Sequence, residues 1–237
     1  MPHVYRVMLE LHDNLYFATR EIGRLYETEP VLHNYALSYA LGLVDSEQYA
    51  TTVSGTNGYH YFCSEQVPQY QVHLTPLNQQ GIYVTPARAV RHSTVLNTWK
   101  YADNRYHVEM QKTQKNIPSF GRAKEIAPES QFEFFVISAQ SLTLPHWIRI
   151  GKWMSKAELQ VKELASPKRH PVQEFLFPYP LNPLDVMFTN QVLSYDTINM
   201  PPVSLIRNVR MRGDFYTFDG LSEALKLPAN MEYRFGD

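Results

Sequence analysis

Three stretches of the chain carry residue types that suit a polyanion. Trp99-Lys100-Tyr101, with Tyr83, Arg88, Arg91, Arg105 and Tyr106 nearby, interleaves basic and aromatic side chains. Single-stranded nucleic acid asks for that mixture: cations meet phosphates and flat rings stack on bases. Cross-strand aromatic packing in a hairpin produces the same pattern, and the residues alone leave both open. Gly151-Lys152-Trp153-Met154-Ser155-Lys156 directly follows an apolar strand. Backbone N–H groups released at the Gly turn, with two Lys and a Ser hydroxyl, form an anion-friendly corner. An ordinary surface turn reads the same way, and the glycine spacing of a phosphate-binding NTPase loop is absent. Arg207-Asn208-Val209-Arg210-Met211-Arg212-Gly213 is the third run. Period-two alternation places Arg210 and Arg212 on one strand face, where they serve a polyanion or blunt an exposed edge.

Catalytic chemistry is harder to assemble. The nine His include His60, three positions from Cys63, and His12 beside Asp13. No H-E-x-x-H, no paired-His helix and no second cysteine supports a metal site. His33 lies one position from an apolar helix face, so a packed structural histidine is expected there. No G-x-S-x-G occurs, and one cysteine among scattered His is weak support for a nucleophile. The expectation is a binding module without metal or cofactor, not an enzyme.

Composition narrows the partners. The chain has 237 residues and a net charge of -1, which excludes a histone-like basic protein and an acidic disordered chain. The neutral total hides a division: residues 1–81 carry a net −5, residues 82–125 a net +5, and residues 126–237 a net −1. A basic segment inside a neutral protein suggests a local polyanion contact, although a solvated basic hairpin has the same signature. Cys63 is the only cysteine, so no internal disulfide and no cysteine-cluster zinc site is expected. Met1 to Asp13 lacks a basic region followed by an apolar run, and Pro30 to Val44 is too short to span a bilayer. A cytoplasmic protein without a membrane partner is expected.

The elements that must position these residues follow from periodicity. Val4 to Leu11 alternates, with Tyr5, Val7, Leu9 and Leu11 on one face, as a half-buried strand does. Leu32, Tyr35, Ala36, Tyr39, Ala40 and Leu43 follow the helix template, with Thr28 as cap, Pro30 in the first turn and Gly42 near the end. Tyr59 to Cys63 and Gln69 to Leu77 read as short strands. The basic segment 82–125 reads as a long two-stranded insertion turning near Asp103-Asn104. Phe132 to Ser138, Trp147 to Ile150 and Ser155 to Leu164 read as strands, the last despite a capping-box pattern at Ser155 and Glu158. Asn182-Pro183 with Asp185 opens a helix. Val203 to Val209 and Phe215 to Phe218 read as two late strands around Gly213. The order suits an α+β fold of ferredoxin-like type, the architecture of RNA recognition motifs. No flexible linker is visible, so residues 1–237 are expected to form one domain carrying the 82–125 insertion.

Several blocks together resemble one family. They are Leu11-His12-Asp13-Asn14-Leu15-Tyr16-Phe17-Ala18-Thr19-Arg20-Glu21-Ile22-Gly23-Arg24, running on to Glu29, then His33-Asn34-Tyr35-Ala36-Leu37, and the Gly151 to Lys156 turn. Pro180-Leu181-Asn182-Pro183-Leu184-Asp185 and Met200-Pro201-Pro202-Val203-Ser204-Leu205 complete the set. Across about residues 4–218 the chain is similar to the Csc-one, Cas-five-type subunit of type I-D CRISPR Cascade. The resemblance implies a modified RNA-recognition fold in which the basic insertion is a β-hairpin thumb. It implies a non-catalytic subunit that caps the crRNA 5′ handle and links a Cas-seven-type backbone filament to a Cas-ten-type large subunit. Contact with target DNA near the PAM stays open. The candidate RNA contacts are Arg20, Arg24, Arg88, Arg91, Trp99, Lys100, Tyr101, Arg105, Lys152, Trp153, Ser155, Lys156, Arg210 and Arg212. Two rivals remain. One is a metal-independent endoribonuclease of precursor crRNA, drafting His33 or His92 with Lys100 or Lys152. The other is a scaffold with protein contacts only.

Overall fold

The structure, a computed structural model, describes residues 2–44, 68–101, 119–219 and 225–236, the side chains of 99–101 and 119–120 excepted. Strand β1 (His3–Leu11) lies at the centre of a seven-stranded sheet. Its neighbours are β9 (Gln131–Ser138) and β11 (Ser155–Glu163), both antiparallel. The sheet continues through β10 (Trp147–Ile150) on one side, and through β6 (Ala87–Arg91) and β4 (Val31–Leu32) on the other. The short β5 (Tyr83–Val84) also pairs with β9. The expected alternation of β1 holds: Tyr5, Val7, Leu9 and Leu11 are buried.

Strand β9 is apolar almost throughout because both its faces are covered. Phe132, Phe134 and Val136 join one core cluster with Val7, Leu9, Leu37 and Leu41. Phe135 faces the other way, into a second cluster with Phe175, Phe177 and Val209. That second cluster is built on β12 (Lys168–Phe177), β13 (Gln191–Ile198), β14 (Leu205–Thr217) and β15 (Leu227–Pro228), a four-stranded sheet around β14. Glu133 interrupts the apolar run at 1% exposure. It is held by ion pairs to Arg6 and, at 3.0 Å, to Arg88, and it accepts the Tyr179 hydroxyl at 2.9 Å. A buried carboxylate needs such partners, since losing one strands an uncompensated charge.

The remaining sheet explains the basic segment. β7 (Thr94–Tyr101) and β8 (Ser119–Ile126) form an antiparallel hairpin, and β8 also pairs in parallel with β3 (Leu25–Glu27), which pairs with β2 (Arg20–Ile22). The two-stranded segment thus begins at Thr94, not at residue 82. Tyr83–Val84 and Ala87–Arg91 belong to the central sheet because β9 offers them a partner edge. The expected turn near Asp103-Asn104 lies outside the described residues, as does the expected strand Tyr59 to Cys63.

Three expectations are corrected. Gln69 to Leu77 is not a strand but lies in helix α2 (Tyr70–Gln79). Leu74 and Leu77 bury one stripe while Val72 is 50% exposed. The spacing from Tyr70 is helical, and Pro76 is tolerated inside the last turns instead of closing a strand. The two late strands are one, β14, running through Gly213. Gly213 is there because a Cβ would lie 1.8 Å from the Asn190 Oδ1. Helix α1 (Asn34–Ala40) is also shorter than its apolar pattern. Leu32 is taken by β4, and the cap is His33, not Thr28. The Thr28 hydroxyl instead bridges the backbone of Phe17, accepting its N–H and donating to its carbonyl. Helix α3 (Pro183–Val186) is capped by Asn182 as its sequence indicates.

Asp185 on α3 ties these parts together. Its carboxylate accepts from Asn34 Nδ2 on α1 at 2.8 Å, the Tyr83 hydroxyl on β5 at 2.9 Å and the Arg234 backbone N–H at 3.0 Å. Burial outweighs these bonds and pushes Asp185 up to about 7. His33 moves the other way, down to about 4, because burial opposes its cationic form. Its Nδ1 accepts the Tyr35 N–H at 3.2 Å, which leaves Nε2 to donate to the Val203 carbonyl. The signs are opposite. Between about pH 4 and 6.5 the fold keeps a proton on Asp185 that the unfolded chain gives up, so this contribution falls as pH rises. Over the same window the fold keeps His33 neutral where the unfolded chain is protonated, so that contribution rises with pH. Each slope approaches about 1.4 kcal/mol per pH unit, and in the wild type they offset. Asp185→Asn is expected to lose stability on acidification from pH 6.5. His33→Asn, which keeps a capping oxygen, is expected to lose stability as pH climbs towards 7. Urea denaturation across this range checks both, and parallel profiles for all three proteins would show that neither group titrates as assigned.

Candidate nucleic-acid interface

Parts of four of the sequence blocks singled out above, far apart in the chain, meet at one place. The loop Phe17 to Thr19 forms one wall of a cleft of about 530 Å³. His33, Tyr35 and Ala36 of α1 and Tyr70 of α2 form the next, and Met200 with Pro201 and Pro202 another. The Pro201–Pro202 bond is cis. Among the described residues of the lining, Lys152, from the turn after β10, is the one with a full charge. Burial raises the Tyr35 and Tyr70 hydroxyls above their ordinary range, so both rings stand neutral in the wall.

The β10–β11 turn is fixed against the Leu15 to Phe17 loop. Gly151 has φ +85°, and a Cβ there would meet Leu15 Cδ1 at 2.7 Å and the Tyr16 carbonyl at 3.1 Å. The close approach lets the Lys152 N–H donate to Tyr16 O at 2.9 Å. It also lets the Tyr16 and Trp153 rings stack, with centroids 4.3 Å apart and planes at 23°. Trp153 is 47% exposed, so the stacked pair offers aromatic surface to solvent. On the strand side, Trp147 is 45% exposed. The Lys156 ammonium lies 3.9 Å from its ring centre, and His12 meets it edge-on.

Two residues expected at the RNA have structural roles instead. Ser155 is 2% exposed and its hydroxyl donates to the Asn14 carbonyl, so it faces the fold and not the solvent. Arg88 forks onto Glu133, donates to the Tyr179 hydroxyl at 2.9 Å and packs over that ring at 3.8 Å. Tyr83, read as part of the aromatic patch, is buried on Asp185.

The other cations separate into groups. Arg20 is paired with Glu27 at 2.7 Å and with Glu29 at 3.0 Å, which holds Glu27 below its usual range. Arg24, exposed in the β2–β3 turn, has no ion pair among the described residues. Arg91 donates to the Glu129 carbonyl at 3.2 Å from the end of β6. Arg210 and Arg212 share the outer face of β14, as alternation requires, but in the four-stranded sheet around β14; Arg210 pairs with Glu174 at 3.3 Å. Trp99, Lys100 and Tyr101 end β7, their side chains outside the described residues, and Arg105 lies outside altogether. Of the candidates, Lys152 is thus the one that lines the cleft among the described residues, with Trp153 stacked on Tyr16 in the same turn and Lys156 over Trp147 at its strand end.

The middle of the central sheet offers no alternative platform. Its face opposite α1 carries Met8, Glu10, Gln131 and Glu133, with Gln131 donating to Glu10 at 2.7 Å. RNA recognition motifs use stacking rings on the sheet face; here that ground is ionic and partly acidic. Catalytic chemistry finds little more. Both His33 ring nitrogens are engaged, so the lone pair a base would use already accepts the Tyr35 N–H. Among the described residues no group of three or more His, Cys, Asp or Glu is placed to hold a metal ion, and no helix is long and apolar enough to cross a membrane.

Tyr16, Phe17, Tyr35, Tyr70, Trp147 and the Pro201-Pro202 pair were not among the expected contacts. Trp147 was within reach of the sequence, since Trp147 and Arg149 alternate with buried Ile148 and Ile150 on β10. The rest stand together only through tertiary folding.

A mostly β chain with this cleft matches CRISPR-associated proteins over residues 2–236. It belongs to the family of the type I-D CRISPR-associated protein Cas5/Csc1. No curated protein matches it. Among solved structures, it is similar to a chain of the type III-B Cmr-beta complex bound to cognate target RNA and AMPPnP, at 10% identity and a TM-score of 0.40, covering 87% of this chain and 86% of that one.

The glycine at the turn makes a direct test. Gly151→Ala is expected to cost about 1–3 kcal/mol, from a positive-φ alanine and the collision with Leu15 and Tyr16. Near-UV circular dichroism should report loss of the Tyr16–Trp153 stack along with a lower melting temperature. An Ala variant matching the wild type in both would show that the turn is not clamped.

Proposed function

We propose that the protein is a non-catalytic RNA-binding subunit of a type I-D CRISPR effector, seated on the 5′ handle of the guide RNA in the cytoplasm. The observation that carries this reading is the meeting of Lys152, the Tyr16–Trp153 stack and the aromatic cleft at one corner of the fold. Cations beside exposed rings suit the phosphates and bases of a single strand. Family membership supplies the setting, a CRISPR-associated role. The antiparallel order β11-β1-β9-β6, with α1 and α2 between β1 and β6, supports a modified ferredoxin-like body. In that body β10 and the loop before it stand where a second crossover helix would be. The β7–β8 hairpin is the thumb in this reading, reaching towards a Cas-seven-type backbone subunit while the body meets a Cas-ten-type large subunit. The target is then read by pairing with the guide, and the protein holds shape and backbone. Engagement of both His33 nitrogens supports binding over cleavage.

Two measurements test the reading. Lys152→Ala combined with Lys156→Ala should flatten the salt dependence of RNA binding by about 0.7 in log–log slope for each phosphate that is no longer neutralised. An unchanged slope would place the phosphates elsewhere. Precursor RNA carrying the repeat should bind and remain intact, with or without Mg²⁺; specific cutting within the repeat that disappears on His33→Asn or His92→Ala would favour the endoribonuclease.

A further inference from the structure

The cleft is more than a neighbour of the cationic turn. We propose that it is a pocket for one unstacked nucleobase of the bound RNA, gripped by shape and stacking and not by base identity. This deepens the RNA-binding reading above and rests on it. A volume of about 530 Å³ is within the range of small-molecule sites, roughly 300–1,000 Å³, and exceeds what a single ring system fills. Its lining is mostly apolar: the half-buried Phe17 and Tyr70 offer rings, the buried Tyr35 packs behind Tyr70 with centroids 4.9 Å apart, and Pro201-Pro202 add a rigid apolar surface. Lys152 belongs to both the pocket lining and the turn that holds Trp153. A nucleotide whose base enters the cleft can therefore leave its phosphate at the ammonium and pass the next base to the Tyr16–Trp153 stack. This pairing of an apolar chamber with one cation matches a nucleotide, whereas an aliphatic peptide would leave the cation without a partner.

The walls also explain why identity would go unread. Hydrogen-bond readout needs free donors or acceptors. Thr19 donates its hydroxyl to the Glu27 carbonyl and accepts the Glu29 N–H at 2.8 Å. His33 is engaged at both nitrogens, and the Tyr35 hydroxyl donates to the Arg234 carbonyl at 3.4 Å. Thr19, His33 and Tyr35 are thus already held by the fold, which leaves the Tyr70 hydroxyl and the Lys152 ammonium as the polar groups of the lining, too few to read a base edge. Stacking tolerates any base, because every base has a π-face.

The test uses the full chain and repeat-derived RNA from its own array, made with a single abasic site at each position in turn. For the wild type, one position should stand out, with affinity falling about 5- to 150-fold when its base is removed. Exchanging that base for any other should change affinity by less than about 3-fold. Ala36→Phe, which fills the cleft from α1, should bind intact and abasic RNA alike while keeping the wild-type salt slope. Ala18→Phe fills it from the Phe17 to Thr19 loop, and melting curves on both variants ensure that a folded protein is compared. Binding that is indifferent to abasic sites at every position overturns the pocket and leaves the RNA-binding reading standing. A single position that demands one base overturns recognition by shape. A wild-type protein that binds no RNA overturns the parent reading, and the pocket with it.

Discussion

One buried carboxylate sets the geometry on which the rest depends. Asp185 is 2% exposed, and three groups from different parts of the chain converge on it. Asn34 brings the start of α1, Tyr83 brings β5, and the Arg234 N–H brings the C-terminal segment. A carboxylate this deep is costly unless its lone pairs are met. Meeting them fixes where α1 begins, and with it His33 and Tyr35, which line the cleft. Ser38, further along α1, extends the same network, through its hydroxyl contact with Tyr233 at 2.7 Å. The Tyr233 hydroxyl then receives the Val84 N–H at 3.1 Å. The polar seam between the first helix, the central sheet and the chain end is continuous, and the cleft is one of its outer surfaces.

A second buried carboxylate does the corresponding work inside the central sheet. Glu133 sits on β9 between β1 and β6, and Arg6 and Arg88 reach it from those two strands. Tyr179 adds a hydroxyl from the connection that follows β12. The arrangement locks three strands and a loop with one charge. It also determines what the sheet face can do: two arginines that would otherwise face solvent are turned onto a glutamate. Charge on this protein is thus not a guide to contact until each cation has been traced to its partner. Arg88 and Arg210 lie in stretches that the sequence marks as basic, and Arg20 is another expected contact, yet each faces a carboxylate.

The sequence was informative wherever one face of an element decided its burial. β1, β9, β10 and β11 were legible from alternation or from continuous apolarity, and the Asn182 cap from its Pro183 neighbour. Legibility failed where tertiary context outvoted a local pattern. Gln69 to Leu77 alternates over its first residues, yet the buried positions Leu74 and Leu77 are three apart, a helical interval. Leu32 fits the helix template but pairs as a strand with Ala87. β12 and β13 escaped because their outer faces are exposed along most of their length, so neither shows a clean core stripe. Of the site, Lys152 and Trp153 were visible as a Gly turn after a strand. The cleft was not, because its walls come from residues 17–19, 33–36, 70 and 200–202, and no local pattern announces that they meet.

The division between paired and exposed side chains suggests why the candidate interface lies at the sheet's edge. An open sheet face can read bases only if rings replace charges there, and this sheet uses that ground to bury and pair Glu133. The aromatic surface is displaced to the end of the β10–β11 hairpin, where Gly151 permits the Tyr16 loop to come close enough for stacking. There the requirements of folding and binding are compatible. The Lys152 N–H serves the fold through Tyr16 O, while its side chain lines the cleft. One residue thereby registers the turn against the loop and supplies the cation. A change that leaves the ammonium in place but shifts the turn should therefore disturb the aromatic stack and the cleft wall together, because both hang on the same backbone contact.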